Sequence, residues 1–285
     1  MPSGTLEPID LGFRGLERAI GVYLIETRDG PALFDCGPSS TLPALREGLA
    51  ARGLELSDVR HLLLSHIHLD HAGAAGAIVR EHPALRVWVS EIGARHLVDP
   101  SKLEASARRL YGTRFDALFG ELAPVPEGNL SFSAGDVLGW EAFATPGHAS
   151  HHVAYLREGT LLAGDACGVR RQPAGEVLPV SPPPDIDVEL WHATIDQIEQ
   201  RRPARLALTH FGIATDVESH LELLRAELDR WTALVAAGVG IEEFAALARP
   251  GTDTDAEAAV YAEIAPFQQS WLGLRRYLDK RAAAD

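Results

Sequence analysis

The 285-residue sequence predicts an α+β fold in which two strand-rich halves, each followed by helices, precede a helical extension. Three observations carry this. Short runs rich in Val, Ile, Leu and Phe, bounded by Gly, Pro and Asp, recur over residues 20–90 and again over 130–209. Leucines at helical spacing separate them. From residue 216 onward the apolar pattern is helical throughout.

The first strands form a hairpin: Ile20-Gly21-Val22-Tyr23-Leu24-Ile25 and Ala32-Leu33-Phe34 flank Arg28-Asp29-Gly30-Pro31, a strong turn signal. Leu42, Leu45 and Leu49 repeat at helical spacing after Ser39-Ser40, Asp58 to Leu64 returns to strand, and Ala72-Gly73-Ala74-Ala75-Gly76-Ala77-Ile78 suggests a helix. Arg86 to Ser90 reads as a short strand and Pro100 to Leu118 as a helix. Strands dominate from Leu130 to Leu162, and Pro182-Pro183-Pro184 is a stiff extended piece. Val188 to Arg201 is an amphipathic helix with Leu190, Ile195 and Ile198 inward, and Arg205 to Thr209 is the last core strand. Val217, Leu221, Leu224, Leu228, Trp231 and Val235 then form an apolar stripe on one long helix. Thr254-Asp255-Ala256-Glu257 reads as a capping box opening a final helix through Val260, Ile264, Trp271 and Leu278, kinked at Pro266. The expected organisation is a domain over residues 1–215 with a helical segment over 216–285 packed on it; a homodimer seam is the alternative use of the stripe.

With 46% hydrophobic residues, the chain can bury one large domain with an appendage. No apolar run approaches the roughly 18 residues of a membrane span. Met1 to Asp10 lacks a basic region followed by an apolar stretch, so no signal peptide is expected. A net charge of −14 disfavours nucleic acid as a partner, since that needs a basic patch. Two cysteines, Cys36 and Cys167, do not make a disulfide framework, which fits a reducing, cytoplasmic home. The expected partner is a small-molecule substrate.

The most informative stretch is Ser65-His66-Ile67-His68-Leu69-Asp70-His71, directly after Leu62-Leu63-Leu64. Side chains alternate along an extended segment, so His66 and His68 point the same way and can share one ion. Asp70 and His71, at the start of the following helix, can face a second ion beside the first. Three more candidates each follow a strand-like run: His148 in Ala144-Thr145-Pro146-Gly147-His148, Asp165 in Leu161-Leu162-Ala163-Gly164-Asp165, and His210 in Leu206-Ala207-Leu208-Thr209-His210. A lone His after a strand is more often a core or surface residue than a ligand. A series of strand, turn and candidate ligand that recurs four times is a metal cage. The other seven histidines carry no such pattern; His151 and His152 follow His148 closely, and a place for one of them behind the ligands is the alternative to the expected solvent-facing or capping roles.

This series resembles the metallo-β-lactamase superfamily, whose pattern is H-x-H-x-D-H, then a His, a bridging Asp and a last His. The resemblance implies a four-layer αββα sandwich with a C-terminal helical extension, metals at one edge. It implies that His66, His68 and His148 hold one ion, Asp70, His71 and His210 the other, and that Asp165 bridges them. Asp35, at the end of another apolar run, corresponds to a buried carboxylate under the metals; ligating histidines usually hand their other N–H to such an acceptor. Zinc is the default for a His-rich site of this kind, with iron or manganese open.

The implied chemistry is hydrolysis of an ester-like bond (thioester, ester or lactone) by a metal-bridging hydroxide that Asp70 orients, while the second ion polarises the carbonyl. Over residues 18–212 the chain resembles the glyoxalase II branch and its small relatives. Acyl-homoserine lactonases carry a tyrosine shortly after the bridging Asp, whereas Asp165 is followed here by Ala166-Cys167-Gly168-Val169. The glutathione contacts of glyoxalase II find no residue-by-residue match. Arg170, Arg171, His96, Lys102 and Tyr111 lie in segments that could overhang the site, with a solvated-surface role expected for each. The alternative function is a mononuclear non-haem iron persulfide dioxygenase, which shares fold and motif; retention of seven ligands argues against it.

Overall fold

The computed structural model describes residues 6–171, 175–251 and 255–283. The strand-rich halves become two six-stranded mixed sheets, with the first strand of the second half, Leu130–Phe132, joining the first sheet. The first contains, in spatial order, β1 (Pro8–Asp10), β2 (Gly21–Thr27), β3 (Gly30–Phe34), β4 (His61–Leu63), β5 (Arg86–Val89) and β6 (Leu130–Phe132). The expected hairpin is β2–β3, and β3 to β6 run parallel. Parallel neighbours need crossovers. These are α1 (Leu42–Ala50), then α2 (Leu69–Ala72) with α3 (Ala75–Glu81), then α4 (Glu91–Val98), α5 (Ser101–Tyr111) and α6 (Phe115–Phe119).

The second sheet holds β7 (Gly135–Val137), β8 (Trp140–Ala144), β9 (Val153–Arg157), β10 (Thr160–Leu162), β11 (Arg205–Leu208) and β12 (Gly212–Ala214). Here β10 and β11 are parallel, joined by α7 (Val188–Arg201), and the other pairs are antiparallel. The chain ends in α8 (Val217–Ala236), α9 (Ile241–Leu247), α10 (Asp255–Ile264) and α11 (Phe267–Ala282).

Period-two alternation splits each strand between two cores. Tyr23, Phe34 and Leu63 of the first sheet meet Tyr155, Leu162 and Ala207 of the second in one buried cluster, with the Phe34 and Tyr155 rings edge to face at 5.9 Å. Their strand neighbours Leu33, Leu62, Leu161, Leu206 and Leu208 point outward into the cluster that contains Leu45, Leu49, Ile78, Trp191 and Ile195 of the helices. That is the expected αββα sandwich.

Because β3 and β4 are parallel, and β8 and β10 share a direction through β9, the C-terminal ends of β3, β4, β8, β10 and β11 open onto one edge. Two interior tyrosines tie that edge across the sheets. Tyr155 donates its hydroxyl to Leu64 O at 2.9 Å, and Tyr23 donates to Leu208 O at 2.8 Å.

Some expected elements differ. The helix over 100–118 breaks at Gly112, whose φ of 55° lies outside the helical region, and the preceding α4 had no clear periodic signal. Leu190 is 46% exposed: the buried stripe of α7 runs through Val188, Trp191, Ile195 and Ile198, placing Leu190 off the contact face. Pro266 separates two helices rather than kinking one, its ψ of 107° leaving the helical region. The capping box at Thr254 lies outside the described residues. Edge strands β1 and β12 are too short to show alternation.

Leu221, Leu224, Leu228, Trp231 and Val235 of α8 are buried within the chain, against Phe244, Phe267 and Leu274 among others, so the chain's own helices cover this stripe. No helix among the described residues is long and apolar enough to cross a membrane. Trp231 anchors the C-terminal helices, with its ring edge-on to Phe244 at 5.4 Å and its N–H donated to Glu227. Replacing Trp231 with Ala should cost about 3–5 kcal/mol, read as a lowered midpoint of chemical unfolding; an unchanged midpoint would contradict this packing.

Candidate metal centre

Backbone geometry brings the donors together at the sheet edge. After β4 the chain stays extended to His68, so the rings of His66 and His68 lie together with centroids 4.4 Å apart. Asp70 and His71 occupy the first turn of α2. His148 follows β8, Asp165 lies in a 3-10 turn after β10, and His210 follows β11. Gly164 is required there: its φ is +50°, and a Cβ would sit 2.6 Å from Ser65 Cβ.

All seven candidate ligands converge. Donor atoms of His66, His68 and His148 lie within 4.8 Å of one another, as do those of Asp70, His71 and His210. Asp165 stands between the groups. Its Oδ2 is 3.6 Å from His148 Nε2, and its Oδ1 is 3.3 Å from His71 Nε2 and 3.5 Å from His210 Nε2. His68 and Asp70 are half-buried at the cleft, and the other five are buried.

Hydrogen bonds on the far side of the rings assign the tautomers. His148 donates Nδ1–H to Val180 O and His210 donates Nδ1–H to Ala19 O, each at 2.6 Å. His71 donates Nδ1–H to Asp35 Oδ2 at 2.8 Å. His66 donates to Ser65 Oγ at 2.9 Å, and Ser65 passes its own hydrogen to the same Asp35 oxygen at 2.9 Å. Each of these rings therefore turns its Nε2 inward. Nε2 of His66, His71 and His210 and Oδ1 of Asp165 are buried without a hydrogen-bond partner. Such atoms cost about 1–3 kcal/mol each when left unpaired, and converging lone pairs repel. A divalent cation answers both, and this imidazole–carboxylate set suits zinc, iron or manganese.

Burial and the adjacent imidazoles push His66 well below the usual histidine range, keeping it neutral and able to coordinate. Burial works to lower His71 and His210, but the Asp165 and Asp70 carboxylates outweigh it and raise both above the usual histidine range; their positive charge in turn overcomes burial and holds Asp165 well below the usual carboxylate range, a charge that a divalent cation would supply instead.

Asp35, expected beneath the cluster, is fully buried there and also accepts Ser65 N–H at 2.8 Å and Thr209 Oγ–H at 3.1 Å. His152, expected at the surface, is 1% exposed. It accepts Asp165 N–H on Nε2 at 3.1 Å, with Thr145 Oγ 2.7 Å from its Nδ1, so it positions the Asp165 turn. His151 is also buried, stacked 6.0 Å from His66. The doublet three residues beyond His148 was the available signal, but periodicity cannot tell inside from outside in a loop.

His96, Lys102 and Tyr111 do line the cleft above the cluster. Arg170 and Arg171 are instead buried away from it. Arg170 grips both Asp216 oxygens at 2.8 and 2.9 Å. Arg171 pairs with Glu257 at 2.5 Å and donates to the carbonyls of Glu17 and Arg18. Cys36 and Cys167 are buried beside the site aspartates, and burial raises both thiols.

Two of the carbonyls that orient histidines are braced by the C-terminal helices. On α11, Gly273 abuts Ser181, next to Val180, so closely that a Cβ would lie 1.9 Å from Ser181 O. On α10, Glu257 and Tyr261 hold Arg171, which clamps the segment just before Ala19.

Residues 17–210 match the family model described as "Metallo-beta-lactamase superfamily". The chain belongs to this superfamily. Membership makes it a metal-dependent hydrolase. It is 26% identical over 234 residues to the metallo-beta-lactamase fold-containing protein ST1585 of Sulfurisphaera tokodaii, covering 78% of this chain and 85% of that protein. The crystal structure of ST1585 matches with a TM-score of 0.66 at 20% identity, covering 97% of this chain and 98% of that one. Bacillus subtilis "Probable metallo-hydrolase YqjP" is 28% identical over 169 residues, 50% of this chain and 51% of that protein. TTHA1623, crystallised in a di-iron-bound form, matches with a TM-score of 0.55 at 23% identity over 76% of this chain and 98% of its own.

Asp35→Asn should lower metal affinity about 10–100-fold by loosening His71 and Ser65, measured by chelator competition against bound cobalt. Gly273→Ala should weaken the same retention through Val180. Wild-type affinity in both variants would show that these supports are dispensable.

Proposed function

We propose that the protein is a dinuclear metal-dependent hydrolase cleaving an ester-like bond, a thioester, ester or lactone, in a small cytoplasmic substrate, akin to the glyoxalase II branch. The observation that carries this reading is the convergence of seven donors into two groups with Asp165 between them. His66, His68 and His148 would hold one ion and Asp70, His71 and His210 the other, each within reach of a different Asp165 oxygen or of both. Zinc is the first candidate, and the di-iron form of TTHA1623 makes iron the second. Bound ions of this kind supply hydroxide near neutral pH and a Lewis acid for the attacked carbonyl.

The chain's own groups do the rest. Asp70, half-buried at the cleft, has a carboxylate that His71 and His210 hold at about 2 against the effect of burial, so it is an acceptor that can orient a nucleophile's hydrogen. Asp35 and Ser65 hold the rings of His71 and His66. A cleft of about 810 Å³ lies over the cluster, of a size that suits small-molecule substrates. Its far wall comes from α10 and α11, so the segment 216–285 would act as a roof on the domain 1–215.

Purified protein should carry close to two metals per chain, with His66→Ala and His210→Ala each emptying mainly one position. Asp165→Asn should lower turnover of an activated thioester by about a hundredfold or more, and turnover should rise with pH through an apparent pKa of about 7. Full activity after metal removal would overturn the mechanism. Oxygen consumption with glutathione persulfide, one iron per chain and no hydrolysis would establish the dioxygenase instead.

A further inference from the structure

The two ends of the cleft differ in chemistry. At one end Arg95, His96 and Lys102 lie around His151, whose ring is 5.7 Å from that of His68; Arg95 and His96 act electrostatically on His151, and Lys102 on His96. Along α5, Lys102, Ser106 and Arg109 recur at helical spacing and line the cleft, spanning about 10 Å of helix. Beside them Leu103, Ala107 and Leu110 form a more buried row.

The other end is apolar. Phe13, Ile20, Leu118, Phe119 and Ile264 line it. Tyr111 crosses this lobe, its ring 4.8 Å from Phe119 and its hydroxyl donated to Gln269 of α11 at 3.2 Å, close enough to the cluster to sense the Asp70 charge. The one arginine here, Arg114, is taken by Glu263 at 2.7 Å.

Arg95 and Lys102 at the first end, and Arg109 further along α5 towards Tyr111, are free by comparison. Arg95, Lys102 and Arg109 have no ion pair with a carboxylate among the described residues, and Arg95 donates only to His96 Nε2, at 3.3 Å. The free carboxylate on this part of the wall is Asp185, which accepts Ser150 Oγ–H at 2.7 Å. Arg95 and Lys102 against Asp185 leave this end of the cleft positive in a chain whose net charge is −14. The metal cluster lies between the two ends.

Resting on the hydrolase reading above, we propose that the substrate is amphipathic: an apolar group on one side of the scissile bond fills the lobe under Tyr111, and an anionic group on the other is selected by Arg95 and Lys102. Each cation is exposed, so each contributes modestly, and their joint field acts on a charged ligand at low salt.

The test uses the metal-loaded protein and pairs of ligands of similar length in which one member carries an anionic group and the other a neutral one. The octanoyl thioesters of 3-mercaptopropionate and 2-mercaptoethanol probe one orientation, and the octanethiol thioesters of succinate and butyrate the other. In at least one pair the anionic member should have a kcat/KM about tenfold higher at low salt, and the ratio should fall toward one in Arg95→Glu/Lys102→Glu and in high salt. Binding is read separately by fluorescence with anilinonaphthalenesulfonate and its neutral analogue N-phenyl-1-naphthylamine, whose affinity ratio should shift the same way. Equal use of charged and neutral thioesters, or a probe ratio indifferent to the charge reversal, overturns the inference. No turnover of any thioester, with the probe ratio still charge-dependent, overturns the hydrolase reading and leaves the amphipathic cleft standing.

Discussion

A carboxylate taken wholly out of water is expensive unless donors surround it, and Asp35 is surrounded. Ser65 N–H, Ser65 Oγ–H, His71 Nδ1–H and Thr209 Oγ–H all reach its two oxygens. Those donors come from the ends of β4 and β11 and from α2, hence from both sheets. Satisfying this one buried charge therefore sets the spacing between the two sheet edges. It also fixes His71 directly and His66 through Ser65, so the same constraint aims two imidazoles at the cluster. In the low-dielectric interior such a network is either complete or strongly destabilising.

The support continues into the sandwich. Tyr155 and Tyr23 donate to the carbonyls of Leu64 and Leu208, the residues just before the His66 and His210 loops. The loops are thus pinned where they leave the strands, although they carry the chemistry. His152 performs the same service for the Asp165 turn from within the His148 loop.

The C-terminal helices complete the site in two ways. Their inner face forms the far wall of the cleft and adds Ile264 to its apolar lobe, and their contacts brace the segments whose carbonyls orient His148 and His210. Cleft shape and ring orientation thus depend on the same packing, anchored by Trp231.

Some of this was legible from local pattern alone. Period-two runs in β2, β3, β4 and β11, the helical stripes of α1 and α8, and the spacing His66-x-His68-x-Asp70-His71 each depend on residues within a few positions of one another, which is the range over which side-chain direction is dictated by backbone geometry. The strand–turn–ligand series could be read because each ligand ends a strand. What tertiary structure decided is contact between residues far apart in sequence. Leu190 reads as inward until the phase set by Trp191 is known, and Arg170 and Arg171 read as solvated until Asp216 and Glu257 meet them. The carbonyls of Ala19 and Val180 carry no sequence signal at all, because every residue has one. His151 and His152 belong to the same class: whether a loop histidine faces water or the core is decided by which strands lie on either side of it, and that is a property of the assembled sheets rather than of the residues beside it.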